Sequence, residues 1–176
     1  MSRKLSVVNM EIVLQDKLDE KSWKHLTGWN EFVFPKEGKG MEWAPLGWHV
    51  LAFEGTNPIA HIGFDRFSIN DSGETIWVVG VGGVVVRPEF QKKGIPAELF
   101  KKLHTNCPPS IFSESFTLFC PERLVPYYQK HGYEKVERSV KVIQFGQLIS
   151  TNFTFMARGT TVQKKGSTIN LFGPPW

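Results

Sequence analysis

The stretch Val84–Leu99, VVVRPEFQKKGIPAEL, joins an apolar run to a helical pattern through a short basic loop that contains a glycine. Backbone N–H groups at the start of a helix lack intrahelical partners and carry partial positive charge, so such a loop suits a phosphate. Gly94 lets the chain come close to an anion without a side chain in the way, and Arg87, Lys92 and Lys93 add long-range attraction for a polyanion. Pro96 removes one N–H, yet proline is well tolerated in a first helical turn. The amides from Lys92 to Ile95, with that of Ala97, are expected to hold the anion. A Walker ending of Gly-Lys-Ser/Thr is absent, and only one of the three glycines of a dinucleotide fingerprint is present.

The elements that must position this loop follow from the apolar pattern. LSVVNMEIVLQ predicts a first strand, and DKLDEKSWKHLTGWNEF one or two helices with Leu18, Trp23 and Leu26 facing inward. WHVLAFEG and PIAHIGFDRFSI read as strands joined by a turn at Gly55 to Pro58, and NDSGE as another turn. TIWVVGVGGVVVRP is an almost unbroken apolar run, which suits a central strand covered on both faces. Gly80, Gly82 and Gly83 inside it predict a bulge or the close approach of a ligand. GIPAELFKKLHTN predicts a helix, SFTLFC a short strand, PERLVPYYQKHG a helix ended by Gly132, and YEKVERSVKVIQFG a strand region. The rest reads as strand and then loop. This order predicts an α/β (α+β) mixed sheet with helices on both faces.

The chain has 176 residues, 41% of them hydrophobic and 22% charged, which is enough for one domain over 1–176 with a real core. A formal charge of +4 fits an anionic small ligand as well as nucleic acid. The aromatics alternate as core residues and are not interleaved with Lys and Arg on one face, so no nucleic-acid partner is expected. Cys107 and Cys120 cannot form a disulfide framework or a zinc site unaided, so both are expected reduced and no metal is expected. No apolar segment near the N-terminus looks like a signal peptide and none is long enough to span a bilayer. A soluble, cytoplasmic protein without a membrane partner is the expectation; a homodimer is left open.

The spacing Gln91-x-x-Gly94-x-Pro96, directly after a V-x-V-R-P strand end, resembles the acyl-coenzyme A pyrophosphate loop of the GNAT superfamily of N-acyltransferases. That pattern is Gln/Arg-x-x-Gly-x-Gly/Ala, from which Pro96 departs. Downstream, YYQKHGYEKV resembles the family's Tyr-x-x-x-Gly-Phe/Tyr, falling on Tyr128, Gly132 and Tyr133. The similarity runs from Val50 to Val136. It implies a mostly antiparallel sheet that splays between the central strand (76–87) and the next one (115–120). It also implies acetyl-coenzyme A as cosubstrate. The pyrophosphate would rest on the loop residues Arg87, Gln91, Lys92, Lys93, Gly94, Ile95, Pro96 and Ala97, and the pantetheine arm on the backbone of Val84, Val85 and Val86.

The resemblance implies direct attack by an amine in a ternary complex, with an amide of the 84–86 stretch polarising the thioester carbonyl. Tyr128 is then the general acid for the departing thiolate, and neighbouring Tyr127 has the wrong spacing to Gly132. The general base stays open among Glu54, His61, His49 and Glu74, or a water relay. Cys120 is read as a small buried thiol.

PIAHIGFDRFSI, with the VVGVGGVVVRPEFQKKGIPAELF that follows, is similar to the aminoglycoside 2′-N-acetyltransferases and more distantly to the nodulation N-acyltransferases. Ala60-His61 and the terminal FGPPW carry the likeness, which implies Trp176, through its terminal carboxylate, at the acceptor site. Those enzymes have a glutamate where this chain has Gly82. The expected reaction is acetyl transfer to a primary amine of a small molecule, aminoglycosides and amino sugars among the candidates. The alternative is a GNAT-fold sensor or regulatory module that binds acyl-coenzyme A without turnover.

Overall fold

The computed structural model describes residues 10–163 and 165–176; the part of the predicted first strand before Met10 lies outside them. Among the described residues one mixed sheet carries ten strands. β1 (Met10–Gln15) pairs antiparallel with β2 (Trp48–Glu54), and β2 with the first half of β3 (Asn57–Asp71). At fifteen residues, β3 outlasts β2 and hands the same edge to β10 (Ile169–Leu171). Its other edge pairs along its length with β4 (Glu74–Val86), through a turn in which Ser72 and Gly73 both have positive φ. Two consecutive left-handed residues form the turn that matches strand twist.

Beyond β4 the sheet continues with β5 (Ser115–Cys120), β9 (Thr154–Gly159) and β6 (Glu134–Lys135); beyond β10 lie β7 (Val140–Gln144) and β8 (Gln147–Ser150). Among the described residues only the β4–β5 and β10–β7 pairs are parallel.

Alternation along β4 sends side chains to two covered faces. Val79 and Val81 pack with Leu99, Phe100 and Leu103 of α2 (Ile95–Asn106), Val78 joins the other core with Ile69 and Val142, and past an extra residue at Gly83 Val85 packs with Leu26 of α1 (Glu20–Thr27) and Leu51. This two-sided burial is why β4 reads as a continuous apolar run. The α1 helix is shorter than the pattern suggested. Asp19 caps its start, accepting from the Ser22 N–H at 2.8 Å, and Gly28 follows its end.

Two features of β4 shape everything that follows. It pairs with β5 only at Val79, Gly80 and Val81, so from Gly82 onward the two strands part, at the predicted place. It also bulges. The register with β3 steps from His61↔Val85 to Gly63↔Gly82, inserting one extra residue on β4, and Gly83 there has φ +58°. A side chain on Gly83 would be strained by that backbone.

The predicted glycine-driven close approach is made by the chain itself. A Cβ on Gly80 would lie 2.6 Å from the rings of Phe67 and Trp176, and one on Gly82 would lie 2.9 Å from the main chain of Trp176. Trp176, 4% exposed, stacks on Phe67 at 4.4 Å and donates its indole N–H to the Thr117 carbonyl at 3.1 Å.

Two expectations change in detail. The predicted helix over 121–132 is a short 3-10 turn followed by α3 (Val125–Gln129). The predicted strand region over 133–146 divides into β6 and β7. Between them the buried Arg138 reaches the β3–β4 turn, where it donates to both oxygens of Asp71 at 2.5 and 3.0 Å.

Candidate active site

The β4 bulge leaves the carbonyl of Gly83 free of the ladder, and an imidazole takes it. His61 Nδ1 lies 2.7 Å from Gly83 O, and His61 Nε2 lies 2.9 Å from His49 Nδ1. A carbonyl can only accept, so His61 carries its hydrogen on Nδ1 and its Nε2 is the acceptor. His49 must then donate from Nδ1, which leaves its Nε2 as the open lone pair. Among the described residues no buried side-chain nitrogen or oxygen lacks a hydrogen-bond partner, so this free Nε2 is one that solvent reaches. Burial pushes the His61 pKa down to about 4, and burial lowers that of His49, opposed by the carboxylate of Asp65. Both rings are neutral near pH 7. Trp23 of α1 packs edge-on against His61 at 5.3 Å and helps fix the ring.

A cavity of about 750 Å³ opens over these groups and passes through the parting of β4 and β5. His49, His61, Gly83, Val84, Cys120 and Tyr128 all line it. Tyr128, on α3, is buried, and its phenol is held above its ordinary pKa by desolvation, so it keeps its proton. Tyr127 packs against it at 5.0 Å and does not line the cavity. Burial pushes the Cys120 thiol up to about 12, which makes it a poor nucleophile.

The base candidates separate cleanly. Glu54 ends β2 at an exposed hairpin and Glu74 begins β4 at the opposite, exposed end; neither lines the cavity. Both are corrected to surface positions, because strand length carried them past the site. His61, expected as a base, is instead the anchored inner ring of a pair whose open nitrogen belongs to His49. Trp176 does line the cavity, as a buried residue whose main-chain carboxylate lies beside Gly82.

The loop after β4 has the geometry an anion needs. Lys92 and Gly94 have φ of +60° and +78°, and a Cβ on Gly94 would meet nothing within 4 Å, so the space above it is open. The N–H groups of Lys92, Lys93, Gly94 and Ile95 have no partner among the described residues. Pro96 sits in the first turn of α2, as expected. Two expected contributors are otherwise engaged. The Ala97 N–H donates to the Gly94 carbonyl at 3.1 Å, and Arg87 donates to His25 O at 2.5 Å and to Glu89 at 2.9 Å. Arg87 therefore braces the loop against the end of α1, where helix carbonyls lack partners. Gln91 straps the loop from within, donating to Val86 O at 3.0 Å.

Strand parity refines the remaining backbone positions. The Arg87 N–H points to β3, bonding Ile59 O at 2.9 Å, so Val85 shares that direction while Val84 and Val86 turn toward the gap. An extended ligand in the gap can pair with Val84 and Val86; Val85 faces its neighbour strand. Val84 lines the cavity, and the chain from there to Ile95 supplies a polar edge followed by an N–H cradle.

Comparison with known proteins bears on this arrangement. The family model described as an acetyltransferase (GNAT) domain matches residues 19–144. No curated protein matches the sequence. The structure of YhbS from Escherichia coli, a GNAT family N-acetyltransferase in complex with CoA, is similar with a TM-score of 0.59, 14% identity and 96% of each chain covered. ElaA from Escherichia coli gives a TM-score of 0.54 at 16% identity, over 85% of this chain and 99% of that one. An acyl-CoA N-acyltransferase from Pseudomonas aeruginosa gives the same TM-score and identity over the same shares. At these identities the likeness is one of fold.

Proposed function

The chain belongs to the GNAT acetyltransferase family, and we propose that it transfers an acetyl group from acetyl-coenzyme A to a primary amine of a small molecule. One observation carries the reading: a single cavity joins the free edge of β4 at Val84 to the His49–His61 pair and to Tyr128. The open N–H groups at Lys92 to Ile95 adjoin that edge, and the CoA bound in the YhbS structure supports the choice of cosubstrate.

In this reading acetyl-coenzyme A supplies the activated acetyl thioester. The amides of Lys92 to Ile95 hold its pyrophosphate, and the gap-facing groups of Val84 and Val86 hold its pantetheine arm. An amide of this strand end polarises the thioester carbonyl, where negative charge develops. His49 Nε2 takes the proton of the attacking amine. His61, fixed by Gly83 O, is a positioning residue that holds the His49 ring and its tautomer. Tyr128 gives its proton to the departing thiolate. Cys120 stays a protonated thiol, so the amine attacks directly and no acyl-enzyme forms.

The test is thiol release from acetyl-coenzyme A by the purified protein over a panel of amines, with coenzyme binding measured by calorimetry. Release with at least one amine is the expected result. Tight coenzyme binding without release from any amine would turn the reading to a non-catalytic acyl-coenzyme A-binding module.

A further inference from the structure

The acceptor end of the cavity is walled by aromatic rings. Trp23 stacks on Phe34 with centroids 5.9 Å apart and planes at 20°, and the same Trp23 touches His61. Trp43 stands edge-on to Phe153 at 5.4 Å, and Trp176 closes the floor beside Phe119 at 5.4 Å. Several of these rings are not buried by the protein: Phe34 is 38% exposed and Trp43 40% exposed, at the mouth of one cavity. Solvent-facing aromatics gathered around a concave site mark a surface made for an apolar ligand.

Charge points the same way. The charged side chains lining the cavity are Glu31, Lys36 and Lys39, and the carboxylate of Trp176, the last residue, lies beside Gly82 in the same lining. Both lysines lie over the Phe32 ring, at 4.2 and 5.9 Å, so they stand at the entrance. Asp65, the acid nearest His49, accepts the Gly47 N–H at 2.9 Å and does not line the cavity. A side chain at Gly82 has no room, because the main-chain carboxylate of Trp176 occupies that space. A polycation entering here would first pass the two lysines, a repulsion that grows with each added charge.

We propose that the acceptor is an aromatic monoamine: one primary amino group on a planar apolar body, seated on the Trp23, Phe34 and Trp43 wall with its nitrogen toward His49. This rests on the acetyltransferase reading above and names its substrate class. A planar ring gains edge and stacking contacts with such a wall beyond the burial of its area. A single amino group leaves no second positive charge to desolvate beside Lys36 and Lys39.

The experiment is steady-state thiol release with 2-phenylethylamine and tryptamine against n-butylamine, spermidine and kanamycin, at fixed acetyl-coenzyme A. Higher kcat/KM for the two aryl amines, by about tenfold over butylamine and more over the polycations, is expected. Trp43→Ala and Phe34→Ala, at half-exposed positions that the fold does not rest on, should raise the aryl amine KM about tenfold and leave the acetyl-coenzyme A KM unchanged. Trp43→Phe should restore most of it. Preferred turnover of spermidine or kanamycin, or wall variants without effect on aryl amine KM, overturns the acceptor class while the transfer reading stands. Failure of every amine, with coenzyme bound, overturns both.

Discussion

At the loop end of β4 the groups that can meet a ligand are main-chain N–H and C=O, whereas at the acceptor end they are side chains drawn from scattered segments. Lys92 to Ile95, Val84 and Val86 offer backbone; Trp23, Phe34, Trp43, His49 and Trp176 offer rings. The first kind of site depends on backbone conformation, so it is punctuated by residues such as Gly83, Gly94 and Pro96. The second depends on which segments pack together, and tolerates many local sequences. The two kinds of site should therefore answer mutation differently.

The sharpest break is expected between them, at Tyr128. Tyr128→Phe should lower kcat about 100-fold or more, in the range ascribed to general acids, with the calorimetric affinity for acetyl-coenzyme A nearly unchanged. A parallel loss of affinity would mean that Tyr128 merely packs the cavity wall.

His49→Ala should lower kcat/KM by about 100-fold at neutral pH. In the wild type, activity should fall on the acid side with an apparent pKa below 6.5, since burial lowers both imidazoles. Stability follows the same sign. The unfolded His61 binds a proton near 6.5 while the folded one resists until about 4, so stability is full above 6.5 and is lost as pH falls toward 4. In His61→Gln that slope should flatten in denaturant titrations at stepped pH. An acid limb unchanged in His49→Gln would remove His49 as the base.

Gly94→Ala tests the backbone end. The residue holds φ +78° with open space around it, so the added methyl costs mainly left-handed strain, about 1–2 kcal/mol. Coenzyme affinity should fall by about tenfold while the acceptor KM stays unchanged, a split that kinetics at saturating amine would read. The smallest effect belongs to Pro96→Ala. It restores an N–H in the first helical turn, so coenzyme affinity should stay equal or improve by about twofold. A large loss there would mean that the fixed φ of proline, rather than the neighbouring amides, shapes the cradle.

The coenzyme end was largely legible in the sequence. The loop follows from short-range spacing, as does an irregularity at Gly83, while the parting of the strands and the place of Tyr128 came from the family resemblance. The refinements there came from partners far along the chain: Arg87 is held by His25, and Val85 turns toward β3. The acceptor end was much less legible. Glu54 and Glu74 were candidates because their strands were recognised, but strand length put them at exposed hairpin ends. Trp23 was expected inward as core, and Phe34 and Trp43 were given no role. Three aromatics between Phe32 and Trp43, in a segment without strand or helix period, were the available signal.

By itself the sequence determined the order of elements, the apolar central strand and the basic glycine loop. Each of these needs particular residue types at fixed short spacing, because backbone conformation restricts what can stand there. The tertiary structure alone decided the His49–His61–Gly83 chain, whose links span 12 and 22 residues, and the aromatic wall that closes on it. Hydrogen bonds and ring contacts of that reach depend on register and packing, which local spacing does not encode. The loop was written in one stretch of chain, and the acceptor site was assembled from several.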